Sequence, residues 1–122
     1  MKHFENNLPI ALQVQFRHMA KSRSIKHLVR QLADRLGKFD LQGGRCEVVI
    51  DEAHHWNKGG IFRVSVRLSV PGKRLYVASC EEESGSHEFL YSAVRTAFGE
   101  IERQLKKQRR RNYRRKVAEL AA

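Results

Sequence analysis

Positions 61 to 70 read IFRVSVRLSV, and the alternation is unbroken: Phe62, Val64, Val66 and Leu68 fall on one side, Arg63, Ser65 and Arg67 on the other. A period of two with one apolar side describes a strand whose one face is packed and whose other face is wet. Two neighbouring segments repeat the pattern. Ile10, Leu12, Val14 and Phe16 oppose Gln13, Gln15 and Arg17, and CEVVI puts Cys46, Val48 and Ile50 on one face. KRLYVASC is a shorter, less regular fourth strand. Asn57-Lys58-Gly59-Gly60 and Pro71-Gly72 suit hairpin turns, so the last three strands form an antiparallel meander.

A sheet with one apolar face needs a cover, and two helical stripes supply it. Ser22 or Ser24 can cap a helix with Ile25, Leu28, Val29, Leu32, Leu36 and Phe39 at three-and-four spacing, broken by Gln42-Gly43-Gly44. After EEESGSH, a second stripe comprises Leu90, Val94, Ala97, Phe98, Ile101 and Leu105. The order β-α-β-β-β-α predicts an α+β domain: a four-stranded mixed sheet, its first strand parallel to its neighbour through a right-handed crossover, with both helices on one face. Gln13, Gln15, Arg17, Glu47, Arg63, Ser65 and Arg67 belong to the other face. At 122 residues the chain makes one domain, expected over 10–105 after a flexible N-terminus 1–9.

Charge sets the remainder apart. The formal net charge is +11, yet residues 103 to 116 hold nine Lys or Arg and no acid, leaving 15 basic against 13 acidic residues elsewhere. The basicity therefore belongs to one segment, which points to a polyanionic partner. Nothing in KKQRRRNYRRK breaks a helix, so residues 106–122 are expected to form a basic helical extension or tail. Like charges on neighbouring turns repel, and phosphates would relieve that repulsion. Arg103, Lys106, Lys107, Arg110, Arg111 and Arg114 are the candidate RNA contacts on this helix. Lys21, Arg23, Lys26 and Arg30 at the first helix form a second patch, preceded by Arg17. In the HHWNKGG loop, His55 and Trp56 are candidates for stacking on unpaired bases, with Lys58 on a phosphate.

Catalysis and metal binding find less support. Cys46 and Cys80 sit within strand patterns, where cysteine behaves as a small hydrophobe, and two cysteines make no disulfide framework. Asp51-Glu52 and the Glu81-Glu82-Glu83 run lie at strand ends, where solvated acids are ordinary. His54, His55 and His87 show no metal-ligand spacing with the cysteines, and there is no Gly-rich phosphate loop. No catalytic residue, metal, cofactor or small-molecule substrate is expected. The N-terminus MKHFENNLPIALQ lacks a secretory apolar core and no segment is a membrane span, so a cytoplasmic protein with reduced thiols is expected.

The strand LQVQF, the helix SIKHLVRQLADRLGKFD, the hairpin VPGKRLYVASCEE and the helix YSAVRTAFGEIERQLKKQ, which runs on into IERQLKKQRRR, together resemble a known family. It is the short form of the bacterial ribosome hibernation factors, which includes hibernation-promoting factor and the ribosome-associated inhibitor, within the sigma-54 modulation protein family. The resemblance implies a domain similar to double-stranded-RNA-binding domains. It also implies a partner, the small ribosomal subunit and its rRNA, bound where messenger and transfer RNA would sit, with translation silenced under stress or in stationary phase. The matching basic positions are Lys26, Arg30, Arg103, Lys106, Lys107 and Arg110. Tyr91 matches the family, whereas Phe89 and Arg95 stand where acids are common. The extra C-terminal domain of long family members has no counterpart here, which implies a monomeric plug. The alternatives are a general structured-RNA binder, a transcription-related interaction protein and a small nuclease.

Overall fold

The computed structural model describes residues 10–54, 60–83 and 87–121. The elements are β1 (Ala11–Arg17), α1 (Arg23–Arg35) with a short 3₁₀ turn (Leu36–Lys38), β2 (Arg45–His54), β3 (Gly60–Ser69), β4 (Tyr76–Glu83) and α2 (His87–Ala121). The sheet order is β1-β2-β3-β4, with β1 parallel to β2 and the other pairs antiparallel. This is the mixed sheet that one-sided strands and a helical crossover require.

Register brings the apolar side chains into rows across the sheet. Leu12, Cys46, Leu68 and Tyr76 form one row, Val14, Val48, Val66 and Ala78 the next, and Phe16, Ile50, Val64 and Cys80 a third. Onto them pack Ile25, Leu28, Val29 and Ala33 of α1 and Leu90, Val94, Ala97, Phe98, Ile101 and Leu105 of α2, all buried in a single core. Ile101 is fully buried, and truncating such a side chain to alanine typically costs about 2–5 kcal/mol.

Local chemistry sets the helix ends. The Ser22 hydroxyl accepts a hydrogen bond from the Ile25 backbone N–H at 3.3 Å, so Ser22, not Ser24, is the N-cap. The C-terminal end departs from the spacing argument. Phe39 lies outside α1 in extended backbone, because the chain tightens into the 3₁₀ turn at Leu36, yet Phe39 remains buried. A tighter turn keeps the apolar period of three while ending the α-helix earlier. Gly60, expected as part of a turn, belongs to β3. Gly44 is sterically obligatory: a Cβ there would meet the Leu41 carbonyl oxygen at 2.8 Å and Ile10 Cγ2 at 3.1 Å.

α2 is the longest element, 35 residues or about 52 Å at 1.5 Å per residue. Its buried stripe ends at Leu105, and beyond it only Gln108 is even partly buried. Two contacts tie the helix on either side of Leu105 to the domain. The Arg109 guanidinium lies 4.8 Å from the centroid of the Phe39 ring, and Gln104 Nε2 donates to the Val77 carbonyl at 3.1 Å.

Candidate nucleic-acid interface

The two faces of the sheet differ in how their charges are matched. On the helix-free face, Arg17, Asp51, Arg63 and Glu81 occupy one cross-strand row with alternating sign. Arg63 Nε donates to Glu81 Oε1 at 2.8 Å, and His18 Nδ1 lies 2.8 Å from Asp51 Oδ1. Opposite charges facing each other across strands satisfy one another and leave little field for a polyanion. Arg17 therefore sits apart from the other expected RNA contacts. Asp51 and Glu81 share a row but are two strands apart, about 10 Å, with Arg63 between them, too far to share a proton.

The helix side is the reverse. Arg103, Lys107 and Arg111 recur every four residues along one flank of α2, and Arg74 from the turn before β4 joins them. Together with Gln104 and Gln108 they line a recess of about 180 Å³. Arg74 is steadied over the Tyr76 ring, 5.7 Å from its centroid, and the Gln104 bond to Val77 brings this edge of the sheet against the helix. Cations converging from two elements make a basic recess of a kind suited to a phosphate, which no single segment could make.

Some of the positive charge is already engaged. Arg103 makes two hydrogen bonds to Glu100, at 2.8 and 2.7 Å, which hold the Glu100 carboxyl below its usual range and raise the Arg103 guanidinium. Glu102 is held low first by its hydrogen bond from Lys38, against the opposing effect of burial, and further by the charges of Lys106 and Arg35. Lys106 Nζ is 3.7 Å from Glu102. The repulsion expected inside the basic run is thus partly offset by neighbouring acids, at Arg103 and Lys106. No ion pair within the described residues engages Lys107, Arg110, Arg111 or Arg114.

The first-helix patch lies at the far end of the helix layer. Lys26 and Arg30 are exposed on α1, with Arg23 at its first turn and Lys21 just before the cap. The end of α1 meets the middle of α2, as the Lys38–Glu102 pair and the Arg109–Phe39 contact record, and α1 and α2 run the same way. The Lys26 and Arg110 regions are therefore separated by on the order of 25–30 Å along the axes, counting helical rise from the 38–102 contact. Arg35, Lys38 and Arg95 lie between them, and the Arg35 and Arg95 side chains line the groove between the helices with Leu32, Phe98 and Gly99. Sequence reasoning passed over Arg74, Arg35 and Lys38. Arg35 and Lys38 carried a local signal, as cations at a helix end, whereas Arg74 carried none, because its role depends on where the hairpin lands.

Other candidates resolve simply. Cys46 is fully buried, and desolvation pushes its thiol up to about 12, which makes it an inert core residue. Cys80, on the same face near the sheet edge, is also raised, chiefly by burial and by Glu82. His55, Trp56 and Lys58 lie outside the described residues, as does the segment 1–9.

Comparison with known proteins agrees with this architecture. The family model described as sigma 54 modulation protein / S30EA ribosomal protein matches residues 12–113. No curated protein sequence matches the chain. Among solved structures, the N-terminal domain of Protein Y from Thermus thermophilus is similar with a TM-score of 0.62 at 20% identity, covering 82% of this chain and 98% of that one. A ribosomal subunit interface protein from Coxiella burnetii is similar with a TM-score of 0.59 at 17% identity, covering 80% of this chain and 96% of that one. Those likenesses establish the fold, and the family match extends over α1 and over α2 as far as Tyr113, which takes in the basic flank. On that match, the chain belongs to the sigma 54 modulation protein / S30EA ribosomal protein family.

Proposed function

We propose that this protein is a non-enzymatic, ribosome-associated hibernation factor that binds rRNA of the small subunit and occupies the channel used by messenger and transfer RNA. Family membership supports the ribosome as partner. The observation that carries the RNA contact is the division of charge: a sheet face whose cross-strand row alternates in sign, with Arg63 paired to Glu81, and a helix side where Arg74, Lys107 and Arg111 converge without an acid. The domain, residues 10–105, provides the shape, and the basic helix beyond it extends the electrostatic footprint. Phosphate contacts position such a protein without base readout, since the ribosome itself supplies a unique site. It acts in the cytoplasm as a monomer and needs no cofactor. No helix among the described residues is long and apolar enough to cross a membrane.

Sedimentation with separated small subunits, large subunits and whole ribosomes, in the presence of excess duplex RNA, tests this reading. Stoichiometric comigration with the small subunit that survives the competitor is the expected result. Loss of the protein to free duplex would replace it with general structured-RNA binding.

A further inference from the structure

Every large apolar side chain of α2 from Leu90 to Leu105 other than the half-buried Tyr91 is buried, and then the pattern reverses. Tyr113 is 70% exposed, and Val117 one turn later is 46% exposed. Tyr113 stands about 80° around the helix from Leu105, at 100° per residue, so it does not continue the core stripe. Among the described residues it has no ring contact and no hydrogen bond. It is the single aromatic residue in the segment of nine cations, with Arg110 one turn before it, Arg114 beside it and Lys116 one turn after it.

We propose that Tyr113 is a base-stacking residue, and that the projecting half of α2 binds single-stranded RNA, with an unpaired base on the Tyr113 ring and flanking phosphates on Arg110, Arg114 and Lys116. The inference rests on the RNA-binding reading above and names the class of RNA that the extension takes. An aromatic ring among cations is the elementary unit of single-strand binding, because every base has a π-face while the backbone seeks positive charge. In a duplex both faces of each base are already stacked, so this ledge is of use only to an unpaired nucleotide. Val117 adds an apolar wall beside the ring. A second copy of the chain is a poor occupant, since pairing these ledges would bring two nine-cation segments together. Arg109 plays a different part, because its stacking on Phe39 anchors the root of the extension to the domain.

The test uses the full chain with Tyr113→Ala and Tyr113→Phe variants, and a labelled single-stranded RNA of about twelve nucleotides beside its duplex of equal length. Fluorescence anisotropy should show Tyr113→Ala weakening single-strand binding by roughly 5- to 150-fold. Duplex affinity and the salt slope should stay as in the parent, and Tyr113→Phe should retain single-strand affinity. Circular dichroism confirms that both variants keep the helix. Equal losses on both RNAs, no loss, or a Tyr113→Phe variant as weak as Tyr113→Ala would each overturn stacking. So would Tyr113-dependent binding to phosphatidylglycerol vesicles without Tyr113-dependent binding to RNA. Comigration with small subunits separates the two readings. If it persists while Tyr113→Ala leaves oligonucleotide binding untouched, stacking fails and the ribosomal function stands. If single-strand discrimination is seen without comigration, stacking stands and the ribosomal function fails.

Discussion

Neutralising the basic recess on α2 should change the salt dependence of RNA binding by a calculable amount. The perturbation is Arg74→Gln, Lys107→Gln and Arg111→Gln together, three cations that line one recess and have no acidic partner among the described residues. If the parent protein neutralises about six phosphates, log K should fall against log salt with a slope of roughly −4 to −5. Between about 50 and 200 mM salt that slope corresponds to a loss of roughly 300- to 1,000-fold in affinity. Removing three contacts should bring the slope to roughly −2 to −3 and the loss over the same interval to roughly 15- to 60-fold. The control is Arg17→Gln, Arg63→Gln and Arg67→Gln together, an equal loss of three cations on the helix-free face, where Arg63 is paired with Glu81. The assay is a salt titration of affinity for a structured rRNA fragment or for small subunits. The reasoning fails if the control flattens the slope as much as the recess variant does, because the charge would then act diffusely and the faces would not differ.

Glu100→Gln should strengthen RNA binding a few-fold at low salt by releasing Arg103 from its two hydrogen bonds, an effect that equilibrium binding at high salt should no longer show. Gly99→Ala should raise stability by about 0.5–1 kcal/mol in urea denaturation, since a methyl there meets nothing within 4 Å and glycine is a poor helix residue. Acid sensitivity should depend on Glu102. Its folded carboxyl titrates below the ordinary value of 4.5, so its stabilising contribution is present above that value and is lost as pH falls through the lower folded one. Urea midpoints measured from about pH 6 down to about pH 3 should therefore fall less steeply in Glu102→Gln than in the parent.

Much of this molecule was legible in the chain. The alternation of IFRVSVRLSV and its neighbours determines one-sided strands, and the stripes from Ile25 and Leu90 determine the helices that cover them, because a period of two or of three to four is a local property of backbone geometry. The concentration of cations between Arg103 and Lys116 is equally plain in one dimension. What only the tertiary structure decided is which charges remain available and where they meet. Packing of the hairpin edge against α2 brings Arg74 to Lys107 and Arg111, more than thirty positions away in sequence. Register places Arg17 and Arg63 in a row with Asp51 and Glu81, and helix packing sets Lys38 on Glu102 and Phe39 beneath Arg109. Electrostatic attraction depends on distance through space, and hydrophobic period carries no information about which cation a fold will place beside which acid.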